Sequence, residues 1–275
     1  ISEPVKVDGV LNEPVWREND SIGDFVQVEP HTGEPPTEAT KVWLAYTKDA
    51  LYIGVRCEDS QPDRIIATEM LRDGFLISDD NIEIVLDTFH DQRNAYYFAT
   101  NPVGVFVDGR VTETRFPARE WDGIWNVRTS IDSQGWSAEF EIPFKTLGFS
   151  AGKDSWGFNI SRHLGRLREF SRWATPSLDV RFTQMARAGA ITGLRGLSQG
   201  VGLDVKPYAI GGWTRDVEVA DRTAWAREAG ADIFYRITPN LVSSTTFNTD
   251  FAETEVDARQ VNLTRFSLFF PEKRA

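Results

Sequence analysis

Apolar residues fall at every second position through much of this chain. In Trp136-Ser137-Ala138-Glu139-Phe140-Glu141-Ile142 the alternation is strict, with Trp136, Ala138, Phe140 and Ile142 on one face. Residues 81–88 repeat the pattern. Ile82, Ile84 and Leu86 share an apolar face, Glu83 and Asp87 point the other way, and Asp79 and Asp80 stand at the entrance. Side chains that alternate between two faces are the property of a half-buried strand. Residues 42–46 and 51–56 flank Lys48-Asp49 and read as a hairpin. Residues 95–99 run into a turn at Asn101-Pro102, 103–107 resume, and 156–160 form a further strand. Helical segments are short, at 13–18 and at 144–147 after Pro143. Many short strands without long helices predict an all-β fold, an antiparallel β-sandwich of jelly-roll or immunoglobulin-like type.

This texture holds over residues 1–195 and then changes. Residues 203–210, 232–238 and 241–251 alternate, and Thr238-Pro239-Asn240 reads as a tight turn. Alternating segments of about ten residues joined by brief turns suit the strands of an outer-membrane barrel. They equally suit extra strands on a soluble sandwich. Two or three strands cannot close a barrel, so the expected organisation is a sandwich over 1–195 and an incomplete barrel region over 196–275.

Charge narrows the partners. A net charge of −11 argues against nucleic acid, because phosphates need basic neutralisation. Neutral sugars and cations remain, and nine Trp with eighteen Phe supply faces on which sugar C–H surfaces stack. Cys57 is alone, which rules out an intrachain disulfide. No apolar run approaches the roughly 18–20 residues of a membrane helix. The chain opens on Ile1 rather than Met, which reads as a mature or trimmed terminus.

Candidate chemistries are few. Glu139 and Glu141, two apart on one strand, stand roughly 7 Å apart on one face. Such a separation suits an inverting glycosidase, but the solvated face of a strand produces the same pattern more often. Asp8, Glu13, Asp59, Asp79, Asp80 and Asp87 offer the oxygen donors that calcium takes, with Asp59 and Asp79 the preferred pair for a structural ion. His31, His90 and His163 are too scattered for a local zinc motif. No G-x-S-x-G or Gly-rich phosphate loop occurs, and Cys57 ends an apolar strand as a packing residue does. Met70 and His163 could in principle be the axial ligands of a haem.

The aromatics carry more. Phe75 sits in Arg72-Asp73-Gly74-Phe75-Leu76 and Trp173 in Phe170-Ser171-Arg172-Trp173-Ala174, both in polar, loop-like settings. Two such rings facing each other would clamp a sugar, with Arg72, Asp73, Asn101 and Arg172 as candidate contacts to its hydroxyls. The bland reading is that each ring plugs an end of the sandwich. Trp16, Trp43, Trp136 and Trp156 read as core.

Five segments in order resemble one family. Val7-Asp8-Gly9-Val10-Leu11-Asn12-Glu13-Pro14-Val15-Trp16 is similar to the opening motif of family 9 carbohydrate-binding modules. Leu51-Tyr52-Ile53-Gly54-Val55, the 79–87 strand, Gly135–Phe144 and Trp156-Gly157-Phe158-Asn159 continue the resemblance, which covers about residues 4–195. Asn248-Thr249-Asp250-Phe251-Ala252, Asp257 and residues 261–274 resemble bacterial outer-membrane proteins that carry such a module ahead of a β-barrel. In that group the chain continues further, so this sequence looks truncated.

The resemblance implies a sandwich that binds sugar between two aromatic rings, often with structural calcium. Phe75 and Trp173 match the two clamp positions, and Phe75 stands where Trp is usual, which offers less stacking area. It implies a non-catalytic carbohydrate-binding module of the bacterial cell envelope, serving polysaccharide uptake or breakdown beside hydrolases such as xylanases. The alternative is a periplasmic plug or docking domain that binds protein rather than sugar.

Overall fold

The alternating segments are strands in a computed structural model, which describes residues 1–113, 115–150, 152–200, 202–216, 222–238 and 241–248. Two compact units divide at Gly200 and Val201. In the first, the strands are β1 (Val26–Glu29), β2 (Thr40–Tyr46), β3 (Ala50–Glu58), β4 (Asn81–Asp87), β5 (Ala95–Thr100) and β6 (Val107–Val111). They continue as β7 (Asn126–Asp132), β8 (Gly135–Pro143), β9 (Ser155–Leu164), β10 (Glu169–Arg172) and β11 (Gly189–Thr192). A four-stranded sheet runs β2-β3-β8-β7. A seven-stranded sheet runs β1-β10-β9-β4-β5-β6, with β11 also paired to β9. All pairings are antiparallel.

The main core lies between the two sheets, as the period of two requires. Leu51, Ile53, Val55, Trp136, Ala138, Phe140 and Ile142 enter it from the smaller sheet. Ile82, Ile84, Leu86, Phe98, Phe158 and Ile160 meet them from the larger one. Cys57 is buried among them, and burial pushes its thiol up to about 12. Trp136 and Phe140 are fully buried, so cutting either to Ala costs about 3–5 kcal/mol.

Several expectations needed correction. Trp43 follows the inward Val42, so the pleat turns it to the outer face of the smaller sheet. There it packs with Trp16, Tyr52 and Val5 in a separate cluster. The strand expected over 103–107 begins only at Val107, because Asn101 Oδ1 accepts Val105 N–H and Gly104 turns the loop at φ +79°. Apart from the half-buried Glu83, the acids in and before β4 are withdrawn from the surface. Asp79, Asp80 and Asp87 are buried because each accepts loop amides, from Thr68 and Glu69, from Ile66, and from Asp91 and Gln92 respectively.

Glu139 also departs from the solvated-face reading. Its Oε2 accepts the amides of Asp8 and Gly9, and its Oε1 accepts Trp16 Nε1–H, each at 2.8 Å. The opening segment is thereby latched onto β8. Gly9 makes the approach possible: its φ is +87°, and a Cβ there would meet the Thr129 carbonyl carbon at 2.6 Å. The helix α1 (Pro14–Glu18) follows, with Pro at its first position, and it buries Trp16.

In the second unit β12 (Leu203–Asp216), β13 (Arg222–Thr238) and β14 (Leu241–Phe247) form an antiparallel three-stranded sheet in that order. Pro239 and Asn240 of the expected turn lie outside the described residues. So do the 249–274 portion of the C-terminal motif, Asp257 included, and the last residues expected in the 241–251 strand.

Candidate binding groove

The outward positions of the seven-stranded sheet form the floor of a groove. Strand register places Arg172 of β10 opposite Ser161 of β9, and Ser161 opposite Glu83 of β4. One cross-sheet row therefore carries a cation and an anion about 10 Å apart, separated by a short side chain. Tyr97 of β5 lies diagonally from Glu83 and donates its hydroxyl to Glu83 Oε1 at 2.6 Å. Burial, with the Glu83 charge beside it, pushes the Tyr97 hydroxyl well above its ordinary range, so it stays a donor.

Loops raise walls above this row. The loop before β4 brings Phe75 and Ile77, the loop after β6 brings Phe116 and Arg119, and the loop after β10 brings Leu178, Arg181 and Phe182. The resulting groove has a volume of about 550 Å³, within the range of small-molecule sites. Phe75 is 78% exposed and Phe116 81%, large values for rings of this size. The Arg119 guanidinium lies 4.6 Å from the Phe75 ring centre, Arg181 5.5 Å from Phe116, and Arg172 5.8 Å from Phe182. Arg119 also donates to the carbonyls of Asp73 and Gly74, which fixes the Phe75 loop. Burial lowers the Arg172 guanidinium from its ordinary range, and Glu83 and Glu29 oppose that.

The sequence-derived site residues separate in space. Phe75 and Arg172 line the groove. Trp173 does not: its ring packs 5.6 Å from Phe158 against the core, and Gly189 lies beneath it so closely that a Cβ would meet the ring at 2.3 Å. Arg72 is held at 2.6 Å by buried Asp108 and pairs with Asp73 and Asp122. Asp73, at φ 58°, accepts Asp108 N–H. Asn101 is fully buried and donates to Glu69 O and Asp79 Oδ2, a scaffold role.

Of the expected calcium pair, protein donors take both oxygens of Asp79 and one oxygen of Asp59. Asp79 accepts four hydrogen bonds, from Thr68 N, Thr68 Oγ1, Glu69 N and Asn101 Nδ2. Burial alone would raise its carboxyl, but these bonds together hold it below the usual range. Asp59 Oδ1 takes Gln61 N and the Arg166 guanidinium, which also pairs with Glu38. Arg166 occupies Asp59 Oδ1, whereas Asp59 Oδ2 is buried without a hydrogen-bond partner. Among the described residues, the acids that gather within 4.8 Å are Asp73, Asp108 and Asp122, and Arg72 pairs with all three. The haem pair is separated by its environment: Met70 is 80% exposed, while His163 is buried, stacked on Phe170 and hydrogen-bonded to Asp79 O.

Phe116, Arg119, Arg181 and Phe182 were not singled out by sequence reasoning. Their signal was the interleaving of Arg with Phe in Arg115-Phe116-Pro117-Ala118-Arg119 and Arg181-Phe182, outside any periodic segment.

An antiparallel sandwich with an open aromatic groove on one sheet face defines a ligand-binding β-sandwich domain. More particularly, the chain belongs to the carbohydrate family 9 binding domain-like family, whose model matches residues 7–163. Two solved structures share the fold. Both are of a family 9 carbohydrate-binding module from Caldicellulosiruptor kristjanssonii, one in complex with glucose and one with cellotriose. The glucose complex is 14% identical, with TM-score 0.52, covering 73% of this chain and 96% of that one. The cellotriose complex is 15% identical, with TM-score 0.50, covering 72% and 92%. No curated protein matches the sequence.

Proposed function

We propose that this protein is a non-catalytic carbohydrate-binding module that holds its ligand in the groove on the outer face of the seven-stranded sheet. The observation that carries this reading is the pair of exposed rings, Phe75 and Phe116, lining one groove within a family 9 binding fold. Neighbours of the same fold in complex with glucose and cellotriose support a saccharide as the ligand class. A sugar would stack its C–H face on Phe75 or Phe116 and set its hydroxyls against Glu83, Tyr97 and Arg172. Stacking on a few rings is modest, so affinities of micromolar to millimolar order are expected, about −4 to −8 kcal/mol. Calorimetry of the 275-residue chain against a glycan panel, repeated with Phe75→Ala, tests it. A verified glycan whose binding survives Phe75→Ala unchanged would move the ligand out of this groove.

A second reading rests on one loop. Met70, Leu71, Phe75 and Ile77 are all exposed within eight residues, an apolar face that suits a protein partner. A pull-down with a clean partner and an empty glycan panel would favour it. In either case the resemblance of the C-terminal region supports placement at a bacterial cell envelope, beside an outer-membrane barrel.

A further inference from the structure

The groove carries more cationic groups than the hydroxyls of a neutral sugar require. Arg119, Arg172 and Arg181 all line it, and among the described residues none of the three makes an ion pair. The chain as a whole has a net charge of −11, so guanidiniums without a carboxylate partner converging on one groove run against its general character, although Arg119 and Arg172 each donate to two backbone carbonyls. Two glutamates line the same groove: both attract Arg172, and Glu83 also accepts the Tyr97 hydroxyl, which leaves Arg119 and Arg181 as the cations to be accounted for. Elsewhere an arginine beside acids is paired, as Arg72 is with Asp108 and Arg166 with Asp59. Each groove arginine instead lies near a phenylalanine ring, which steadies the guanidinium without neutralising it.

A planar fork of N–H donors is matched to a carboxylate, which it binds through two parallel hydrogen bonds. The aromatic face beside it is matched to the C–H face of a pyranose. One ligand unit presents both surfaces together, a sugar ring bearing a carboxylate. Resting on the carbohydrate reading above, we propose that the groove takes an acidic saccharide built of uronic acid units, with Arg181 and Arg119 binding carboxylates and Phe116 and Phe75 stacking the rings. Arg181 is exposed and contributes no core packing, so its replacement leaves the fold intact.

Calorimetry of the 275-residue chain with oligogalacturonate of about four units, and with the fully methyl-esterified form of the same oligomer, tests the charge directly. The acid form is expected to bind at least tenfold more tightly than the ester. Its affinity should fall on going from 50 to 500 mM NaCl, and fall about tenfold in Arg181→Gln, with partial recovery in Arg181→Lys. Equal binding of acid and ester, or unchanged binding by Arg181→Gln, would overturn the acidic-ligand assignment while leaving the carbohydrate reading in place. Binding of a sulfated oligosaccharide without binding of oligogalacturonate would overturn the uronate assignment in favour of sulfate esters. Failure of every glycan, neutral and acidic, would remove both readings together.

Discussion

The Tyr97 hydroxyl and Glu83 Oε1 lie 2.6 Å apart across neighbouring strands, on the outer face of the larger sheet. This bond fixes the phenol as the donor, because burial and the neighbouring Glu83 push the Tyr97 hydroxyl well above its ordinary range. Tyr97→Phe removes the donor and leaves a half-buried carboxylate with one fewer partner. The variant is expected to unfold at lower urea, by about 1–2 kcal/mol. An unchanged midpoint would mean that water replaces the hydroxyl without loss.

Phe75 and Trp173 answer differently to truncation. Phe75 is mostly solvent-exposed, so Phe75→Ala should leave stability within about 0.5 kcal/mol while weakening the ligand. Trp173 rests on Phe158 and Gly189. Trp173→Ala should therefore cost about 2–4 kcal/mol. Thermal unfolding of the two variants beside calorimetry separates the roles, and the reverse ordering would restore Trp173 to the ligand.

Asp79 predicts an acid limb in the stability profile. Its folded carboxyl lies below the ordinary range near pH 4. Its contribution is complete above about pH 4 and is lost as pH falls through the depressed folded value. Asp79→Asn puts an amide donor against two backbone N–H groups, a hydroxyl and the Asn101 amide. The expected cost is about 2–3 kcal/mol at pH 7, shrinking toward pH 3. Urea titrations at several pH values check this, and a pH-independent deficit would contradict it.

Glu139→Gln tests the latch on the opening segment. One acceptor oxygen becomes a donor that faces either the Asp8 and Gly9 amides or the Trp16 indole. Hydrogen exchange should quicken across residues 8–16 before it changes in β8, with a loss of about 2–3 kcal/mol. Uniform acceleration over the whole sandwich would show that the segment is not a separate opening unit.

These residues also mark what the sequence makes legible. Trp136, Ala138, Phe140 and Ile142 could be placed inward from spacing alone, because one buried face imposes a period of two. Glu139, in the same strand, could not be placed, since its role depends on amides some 130 positions away. Trp43 fell on the wrong face for a related reason: a second apolar layer, beneath the opening segment, absorbs outward-pointing rings. The groove was half legible. Phe75 and Arg172 stood out by chemistry, whereas Phe116, Arg119, Arg181 and Phe182 lie in aperiodic loops that only the sheet order brings together.

The Glu139 latch has a consequence for assembly on the ribosome. The first amides it secures emerge 131 positions before the carboxylate that will hold them. Closing so long a loop is favourable only after the intervening strands have shortened it. Until β8 is made, the Asp8 and Gly9 amides and the Trp16 indole lack this acceptor, and the segment can rest only on β2 and β3. The latch therefore closes late relative to the segment it holds, though still ahead of β9, β10 and β11, which complete the larger sheet.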